Sequence, residues 1–147
     1  MNYIWIDNTE NIDWEALSNL YRIAPLGEKN PNDLKKVFSN SMYTYFVYDN
    51  DSLIGAGRAL ADGVDCAYLC DVAVHPNYQG IGLGAQIISK LIESSNHHKK
   101  ILLYAVPGKE AFYAKFGFKK MKTAMAIFEN QEQAIAWQLI EGKNSVQ

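Results

Sequence analysis

Apolar and polar positions along the chain predict a mixed α/β fold. Strand-like apolar runs occupy residues 3–6, 43–48, 53–60, 67–74, 101–106 and 121–128. Apolar residues at helical spacing predict helices that start after Asp13, at Asn32 or Asp33, at Gly82 and at Lys109, with a last helix over 131–141. Short polar turns join the second, third and fourth strands into a meander, and strand–helix–strand units follow. This order predicts an α/β protein with a mixed, mostly antiparallel central sheet.

The most informative stretch, residues 71–85, joins the fourth strand to the third helix. Three glycines at alternate positions, Gly80, Gly82 and Gly84, open that helix. The first amides of a helix lack intrahelical partners and carry partial positive charge, and glycine lets a phosphate approach the backbone closely. The pattern therefore predicts an anion-binding helix start.

Several phosphate-binding sites begin this way. A P-loop is excluded, because Ala85 and Gln86 stand where its Lys-Ser or Lys-Thr pair should follow. A dinucleotide fingerprint fits the spacing of Gly80, Gly82 and Ala85, but it belongs in a first βα turn and needs a later acidic residue. Three strands precede this turn, and the strand at 101–104 has no carboxylate. A plain glycine turn remains open.

Composition limits the class of protein. A chain of 147 residues can bury roughly two thirds of its unfolded surface, so we expect a single domain over residues 1–147 with a loose tail at 142–147. With 48% hydrophobic and 20% charged residues and a net charge of −2, the chain lacks the basic excess of a nucleic-acid-binding protein. No apolar run reaches the ~18 residues of a membrane span, and the N-terminus lacks a signal-peptide layout. We therefore expect a cytoplasmic enzyme.

The cysteines and histidines predict neither a disulfide nor a metal site. Cys66 and Cys70 lie four apart in one predicted strand, about 13 Å between their Cα atoms, too far to bridge each other. His75 belongs to a loop, and His97 and His98 are expected in a solvated connection without metal-ligand spacing.

Three separated segments resemble the GCN5-related N-acetyltransferase (GNAT) superfamily. Residues 69–76 resemble the family's fourth strand, and residues 79–84 are similar to its Q/R-x-x-G-x-G/A pyrophosphate loop. Residues 112–118 resemble its late F-Y-x-K-x-G-F segment. The N-terminal third, which usually shapes the acceptor pocket, matches only in its order of elements.

The resemblance implies transfer of an acetyl group from acetyl-CoA, the co-substrate, to an amine. It implies a bulge in the fourth strand that splays it from the fifth, with an amide near Val72 polarising the thioester carbonyl. Backbone amides at a helix start suit a pyrophosphate, and a strand edge suits the amides of pantetheine. The expected CoA-binding residues are Val72, Ala73, Val74, Gln79, Gly80, Ile81, Gly82, Leu83, Gly84 and Ala85.

Tyr113 matches the family's general acid, and a phenol is a reasonable proton donor to a departing thiolate. Asp71 is the candidate general base, although a carboxylate that organises a neighbouring loop is an equal reading, and water is the alternative base. Cys70 as a nucleophile is disfavoured because no His–Asp pair accompanies it. Arg58 is expected to face solvent.

The acceptor stays open at this stage: small amines, amino sugars, amino acids and protein amino groups all fit a nearly neutral chain. A homodimer through the segment around Trp137 and Leu139 is also open. A CoA-binding sensor or assembly subunit with little turnover is the alternative function.

Overall fold

A computed structural model describes residues 2–143, and the chain divides into two compact units at Leu103 and Tyr104. The elements of the first unit are β1 (Ile4–Ile6), α1 (Trp14–Ile23), α2 (Pro31–Ser39), β2 (Tyr43–Asp49), β3 (Ser52–Ala61), β4 (Cys66–Val74), a 3₁₀ turn (Pro76–Tyr78), α3 (Leu83–Ser95) and β5 (Lys100–Leu102). The second unit holds α4 (Glu110–Ala114) and α5 (Gln131–Ala136).

The strands form one sheet in the order β1-β2-β3-β4-β5. Neighbours from β1 to β4 are antiparallel, and β5 lies parallel to β4. The β4–β5 pairing covers only Cys66 to Tyr68, so residues 69–74 of β4 extend beyond it. The predicted mixed, mostly antiparallel sheet is confirmed, and the pairing of β4 with β5 ends at Tyr68 because β5 ends at its partner Leu102.

Side-chain caps start the first two helices. The Asp13 carboxylate accepts the Ala16 amide at 3.1 Å, as predicted for α1. The cap of α2 is Asn30, whose side chain accepts the Asn32 amide at 2.8 Å. The prediction of Asn32 or Asp33 was wrong, because Pro31 already fits the first helical turn, where its missing N–H costs nothing.

Helices cover both faces of the sheet. On one face, α1 and α2 bury a core with the sheet whose members are Leu17, Leu20, Tyr21, Leu34, Phe38, Phe46, Ala56 and Ala73. Strand alternation turns Gly55 and Gly57 to the other face, where α3 approaches them through Ile87. The α1/α2 face and the α3 face are therefore separate surroundings for β4.

Three predictions for the C-terminal part need correction. The strand predicted at 121–128 does not form: Met125 is 78% and Ile127 95% exposed, and no sheet partner pairs with this stretch within residues 2–143. An apolar run forms a strand only where a sheet edge is available to pair with it. The strand predicted at 101–106 is only Lys100–Leu102, and the helix predicted at 131–141 ends at Ala136.

Two further predictions concern the ends of elements in this part. The short helix predicted from Lys109 forms as α4, and Gly117 follows it with a left-handed φ of 98°. The predicted tail lies partly outside the described residues, which stop at 143. No helix within residues 2–143 is long and apolar enough to cross a bilayer.

Candidate functional site

A β-bulge interrupts β4 at the position that the resemblance implied. Ala56 pairs with Ala73 and Arg58 with Cys70, so two residues of β4, Asp71 and Val72, lie opposite the single residue Gly57. Asp71 has a φ of 56°, a left-handed conformation that aspartate tolerates better than most residues. We call Asp71 and Val72 the β4 bulge.

Polar contacts on the α1/α2 face fix the β4 bulge. Arg58 Nε donates to Asp71 Oδ2 at 2.8 Å, and Lys29 Nζ lies 3.5 Å from Asp71 Oδ1. The Tyr21 hydroxyl donates to the Asp71 carbonyl at 2.5 Å. The strained residue is therefore held through both its side chain and its backbone.

Tyr21 and Arg58, which both contact Asp71, keep their protons. Burial, and then the nearby Asp71 charge, raises the pKa of Tyr21 well above its ordinary value, so its phenol remains a donor. Burial alone would lower the pKa of Arg58, but its hydrogen bond to Asp71 and neighbouring charges raise the pKa overall. The expectation that Arg58 faces solvent was wrong: its side chain is only 15% exposed, and it also donates to Ser41 Oγ at 3.2 Å.

On the α3 face, the β4 bulge requires a glycine opposite it. A Cβ at Gly57 would lie 2.7 Å from Ile87 Cγ2 and 3.2 Å from Val72 Cγ2. Any larger side chain would push against α3 and the bulge together. Gly57 thus lies both opposite the bulge and in close contact with α3.

After β4, the chain enters the glycine loop, residues 79–85. Gly80 and Gly82 have φ values of 81° and 85°, and nothing lies within 4 Å of the place where their Cβ atoms would be. Gly82 caps α3 without a side-chain acceptor, so no protein side chain competes for the first amides of the helix at that cap. The loop is an open, positively polarised helix start, as an anion site requires.

The approach to the glycine loop is fixed by polar contacts. The His75 side chain accepts the Asn77 amide, and the Tyr78 hydroxyl donates to Asp49 Oδ2 at 2.5 Å. Gln79 Nε2 donates to the Val74 carbonyl at 3.0 Å, which links the first loop residue back to the end of β4.

Tyr113 lies in the second unit, on α4. Its ring makes edge contacts with Phe112 and Phe118, at centroid distances of 5.1 and 6.3 Å. Burial raises the pKa of Tyr113, so the phenol holds its proton at neutral pH. The side chain is half-buried rather than enclosed, which leaves it available as a proton donor.

Cys70 and His98 fit structural rather than catalytic roles. Burial raises the pKa of the Cys70 thiol to about 11, which disfavours a thiolate nucleophile. His98 is buried, not solvated as predicted: its Nε2 accepts the Gly63 amide at 2.9 Å, and its Nδ1 faces the Ser95 carbonyl at 3.0 Å. Residues 2–143 contain no group of three or more His, Cys, Asp or Glu placed to hold a metal ion.

Sequence reasoning missed two residues of the cluster around Asp71. Lys29 lies in the link between α1 and α2, and Tyr21 fits the pattern of a core aromatic of α1. Their polar atoms meet Asp71 only through tertiary contacts across 42 and 50 residues of chain. No local pattern carries that signal.

A family model, the acetyltransferase (GNAT) family, matches residues 6–118. The chain belongs to this family. It is similar to the uncharacterised N-acetyltransferase ycf52 of Pyropia yezoensis, with 40% identity over 123 residues that cover 80% of this chain and 71% of the relative. It is also similar to serotonin N-acetyltransferase 2, chloroplastic, of Oryza sativa subsp. japonica, with 27% identity over 86% of this chain and 68% of that protein.

Solved structures share the GNAT fold. Protein SA2161 of meticillin-resistant Staphylococcus aureus, a probable acetyltransferase, superposes with a TM-score of 0.73 and 26% identity, covering 85% of this chain and 99% of that one. A predicted acetyltransferase of Clostridium acetobutylicum, solved with acetyl-CoA, gives a TM-score of 0.64 at 16% identity, covering 86% and 96%. The chain is therefore an N-acetyltransferase with the GNAT fold.

Proposed function

We propose that this N-acetyltransferase transfers acetyl from acetyl-CoA to a primary amine by direct attack in a ternary complex. The observation that carries the proposal is the continuity of the β4 bulge with the open glycine loop. One short stretch of the first unit thus presents a strand edge and then an anion-binding helix start. That order matches the thioester, pantetheine and pyrophosphate of CoA.

The donor would lie along residues 72–85. The amides of the glycine loop would hold the pyrophosphate, since the loop is exposed and its glycines let phosphate oxygens approach. Beyond Tyr68, β4 has no β5 partner, and the backbone of Val72 to Val74 would pair with pantetheine amides there. Gln79 would share or release the Val74 carbonyl when the cofactor arrives.

The β4 bulge would supply the contact to the reacting carbonyl. A bulge leaves a backbone group out of the regular ladder, and a fixed N–H aimed at a developing oxyanion stabilises the transition state. We assign this amide to Val72. Tyr113 would then protonate the departing CoA thiolate, in keeping with its raised pKa.

Asp71 has two proposed roles that differ in their test. As the general base it would take a proton from the ammonium; as an anchor it would only hold the β4 bulge. Arg58 and Lys29 already occupy its two oxygens, which favours the anchor and leaves the proton to water. An Asp71→Asn variant whose loss of kcat is the same at every pH supports the anchor; loss of an acidic limb in the pH–rate profile supports the base.

The acceptor class is a primary amine. The name of the rice relative, serotonin N-acetyltransferase, favours a small amine. Two structural neighbours are named glucosamine-6-phosphate N-acetyltransferase and ribosomal-protein-S18-alanine N-acetyltransferase, so an amino sugar and a protein amino group are the other acceptors to test. The test is release of free thiol from acetyl-CoA in the presence of serotonin, glucosamine 6-phosphate and a peptide with an N-terminal alanine. Release of free thiol with any of these amines supports the proposed acetyl transfer.

The same assay tests the alternative function. A CoA-binding sensor or assembly subunit would bind CoA tightly and release no thiol with any amine of the panel. An oxidoreductase would bind NAD and not CoA.

We further propose that both units act as one acetyltransferase domain, because the matching family model runs from residue 6 to 118 across their division. The cytoplasm remains the proposed compartment, and the name of the chloroplastic rice relative supports a plastid as the alternative. A homodimer that uses the exposed Trp137 remains a prediction for sedimentation analysis.

A further inference from the structure

The structure already holds a primary ammonium beside the β4 bulge. Lys29 Nζ lies 3.5 Å from Asp71 Oδ1 and 5.4 Å from the centre of the Tyr21 ring. A carboxylate and the face of an aromatic ring both attract ammonium groups. The amine of Lys29 is thus bound at the residue next to Val72, on the α1/α2 face of the sheet.

Of the two cations that contact Asp71, Lys29 is held more loosely than Arg58. Arg58 Nε is closer, at 2.8 Å, and its side chain is 15% exposed, against 28% for Lys29. At 3.5 Å the lysine–carboxylate pair is longer than the charged hydrogen bond that Arg58 makes, and it is therefore the weaker of the two. Lys29 can therefore leave Asp71 at little cost while Arg58 stays.

A hydrogen bond holds the backbone of Lys29 in place. Ser18 Oγ on α1 donates to the Lys29 carbonyl at 2.6 Å, which ties the α1–α2 link to the helix. The four-carbon stem of lysine then allows the amine to move from Asp71 toward the neighbouring Val72 amide. Such tethering raises the effective concentration of an amine far above that of a free one.

We propose that Lys29 is itself an acceptor and is acetylated by acetyl-CoA bound to the same chain. The inference rests on the proposed function, because it takes the acetyl carbonyl to lie at the Val72 amide. The Lys29 ammonium first gives a proton to water. Its nitrogen then attacks the acetyl carbon, the carbon–sulfur bond breaks, and the sulfur leaves with the electron pair.

The balance of the step is complete without another reactant. Lys29 ammonium and acetyl-CoA yield N-acetyl-Lys29, CoA thiol and one proton. Acetylation removes the positive charge of Lys29. Asp71 would keep Arg58 as its cation, and the α1–α2 link would lose its ion pair to the β4 bulge.

The test is to incubate the full chain with isotopically labelled acetyl-CoA without an added amine and to map the label by tandem mass spectrometry. Lys35 and Lys36, exposed on α2, are internal controls for uncatalysed acetylation. Label at Lys29 should exceed that at either control by at least about tenfold, at a rate independent of protein concentration. Equal labelling of the three lysines, or a Lys29 rate proportional to protein concentration, would overturn the proposal.

Two variants sharpen the result. Asp71→Asn keeps a residue that tolerates the left-handed backbone but removes the charge, so labelling of Lys29 should fall to the level of Lys35. Unchanged labelling would contradict the role of the ion pair. Lys29→Arg keeps a cation on Asp71 and should lose only the label of that one site.

The outcome separates this inference from the proposed function. Thiol release with free amines, together with no excess label on Lys29, would refute only the self-acetylation. No thiol release with any amine and no label on Lys29 would refute both. Excess label on Lys29 would support transfer even where the amine panel gives none.

Discussion

Replacing Gly82 by alanine tests the glycine loop with a control of matched backbone geometry. Gly82 and Gly63 both have a φ of 85°, a left-handed conformation that costs a residue with a Cβ about 1–2 kcal/mol. Alanine also stabilises the folded protein by about 0.4–1 kcal/mol, because it lowers the entropy of the unfolded chain. The net loss in the free energy of unfolding is therefore about 1 kcal/mol in each variant.

Neither substitution adds a clash. Nothing lies within 4 Å of a Cβ at Gly82, and a Cβ at Gly63 would meet Met42 Cε at an ordinary 3.5 Å. For a protein of this size, a loss of 1 kcal/mol lowers Tm by roughly 2–4 °C. We therefore expect Gly82→Ala and Gly63→Ala to have similar, slightly reduced stability.

The two variants should differ in binding CoA. A methyl group at Gly82 would stand where a phosphate approaches the first amides of α3, and losing one hydrogen bond to a charged group costs about 1.5–3 kcal/mol. That loss corresponds to a rise of about 10–100-fold in Kd. Isothermal titration with CoA should show this rise for Gly82→Ala and none for Gly63→Ala. A wild-type Kd for Gly82→Ala, or equal losses in both variants, would refute the assignment of the pyrophosphate site.

Three further predictions concern other parts of the molecule. Tyr113→Phe should lower kcat by about 100-fold or more with little change in the Kd for acetyl-CoA; unchanged turnover of the variant would remove this role. Because burial raises the pKa of Tyr113, any alkaline decline in wild-type kcat due to this phenol should lie at higher pH than that of an ordinary tyrosine. Gly57→Ala should lower the free energy of unfolding in urea by about 1–3 kcal/mol, because the added methyl group would clash with Ile87 and Val72. The loss should exceed that of Gly55→Ala, whose closest atom is the flexible end of the Ile87 side chain, Cδ1; equal losses would contradict the packing account. In a Cys66→Ser background, the rate of Cys70 alkylation by iodoacetamide should still rise between pH 9 and 10 and reach half its maximum near pH 11, because burial raises the pKa of this thiol to about 11. Half-maximal alkylation near pH 9 would show an ordinary thiol.

The sequence was most predictive where local chemistry decides structure. Asp13 capped α1 as expected, because its carboxylate accepts an amide of the first helical turn. The glycine loop could be located because positive φ values restrict the choice of residue there. These features depend on a few neighbouring residues.

Features that depend on distant contacts could not be predicted. Whether Arg58 faces solvent or Asp71 is decided by the β4 bulge, which turns Asp71 to the α1/α2 face. The apolar residues of 121–128 suggested a strand, but a strand also needs an edge to pair with, and no pattern within the segment shows whether one is free. Burial of His98 likewise depends on Gly63, which lies 35 residues away.

One measurement tests the assignment of residues 72–85 to CoA most directly. It is an amide NMR titration of the ¹⁵N-labelled chain with CoA and, separately, with NAD. If residues 72–85 form the CoA site, CoA should give its largest shifts at the amides of the glycine loop and at Val72 and Val74, and NAD should leave those amides unchanged. Shifts confined to other parts of the chain, or an equal response to NAD, would contradict the assignment of acetyl-CoA to this site.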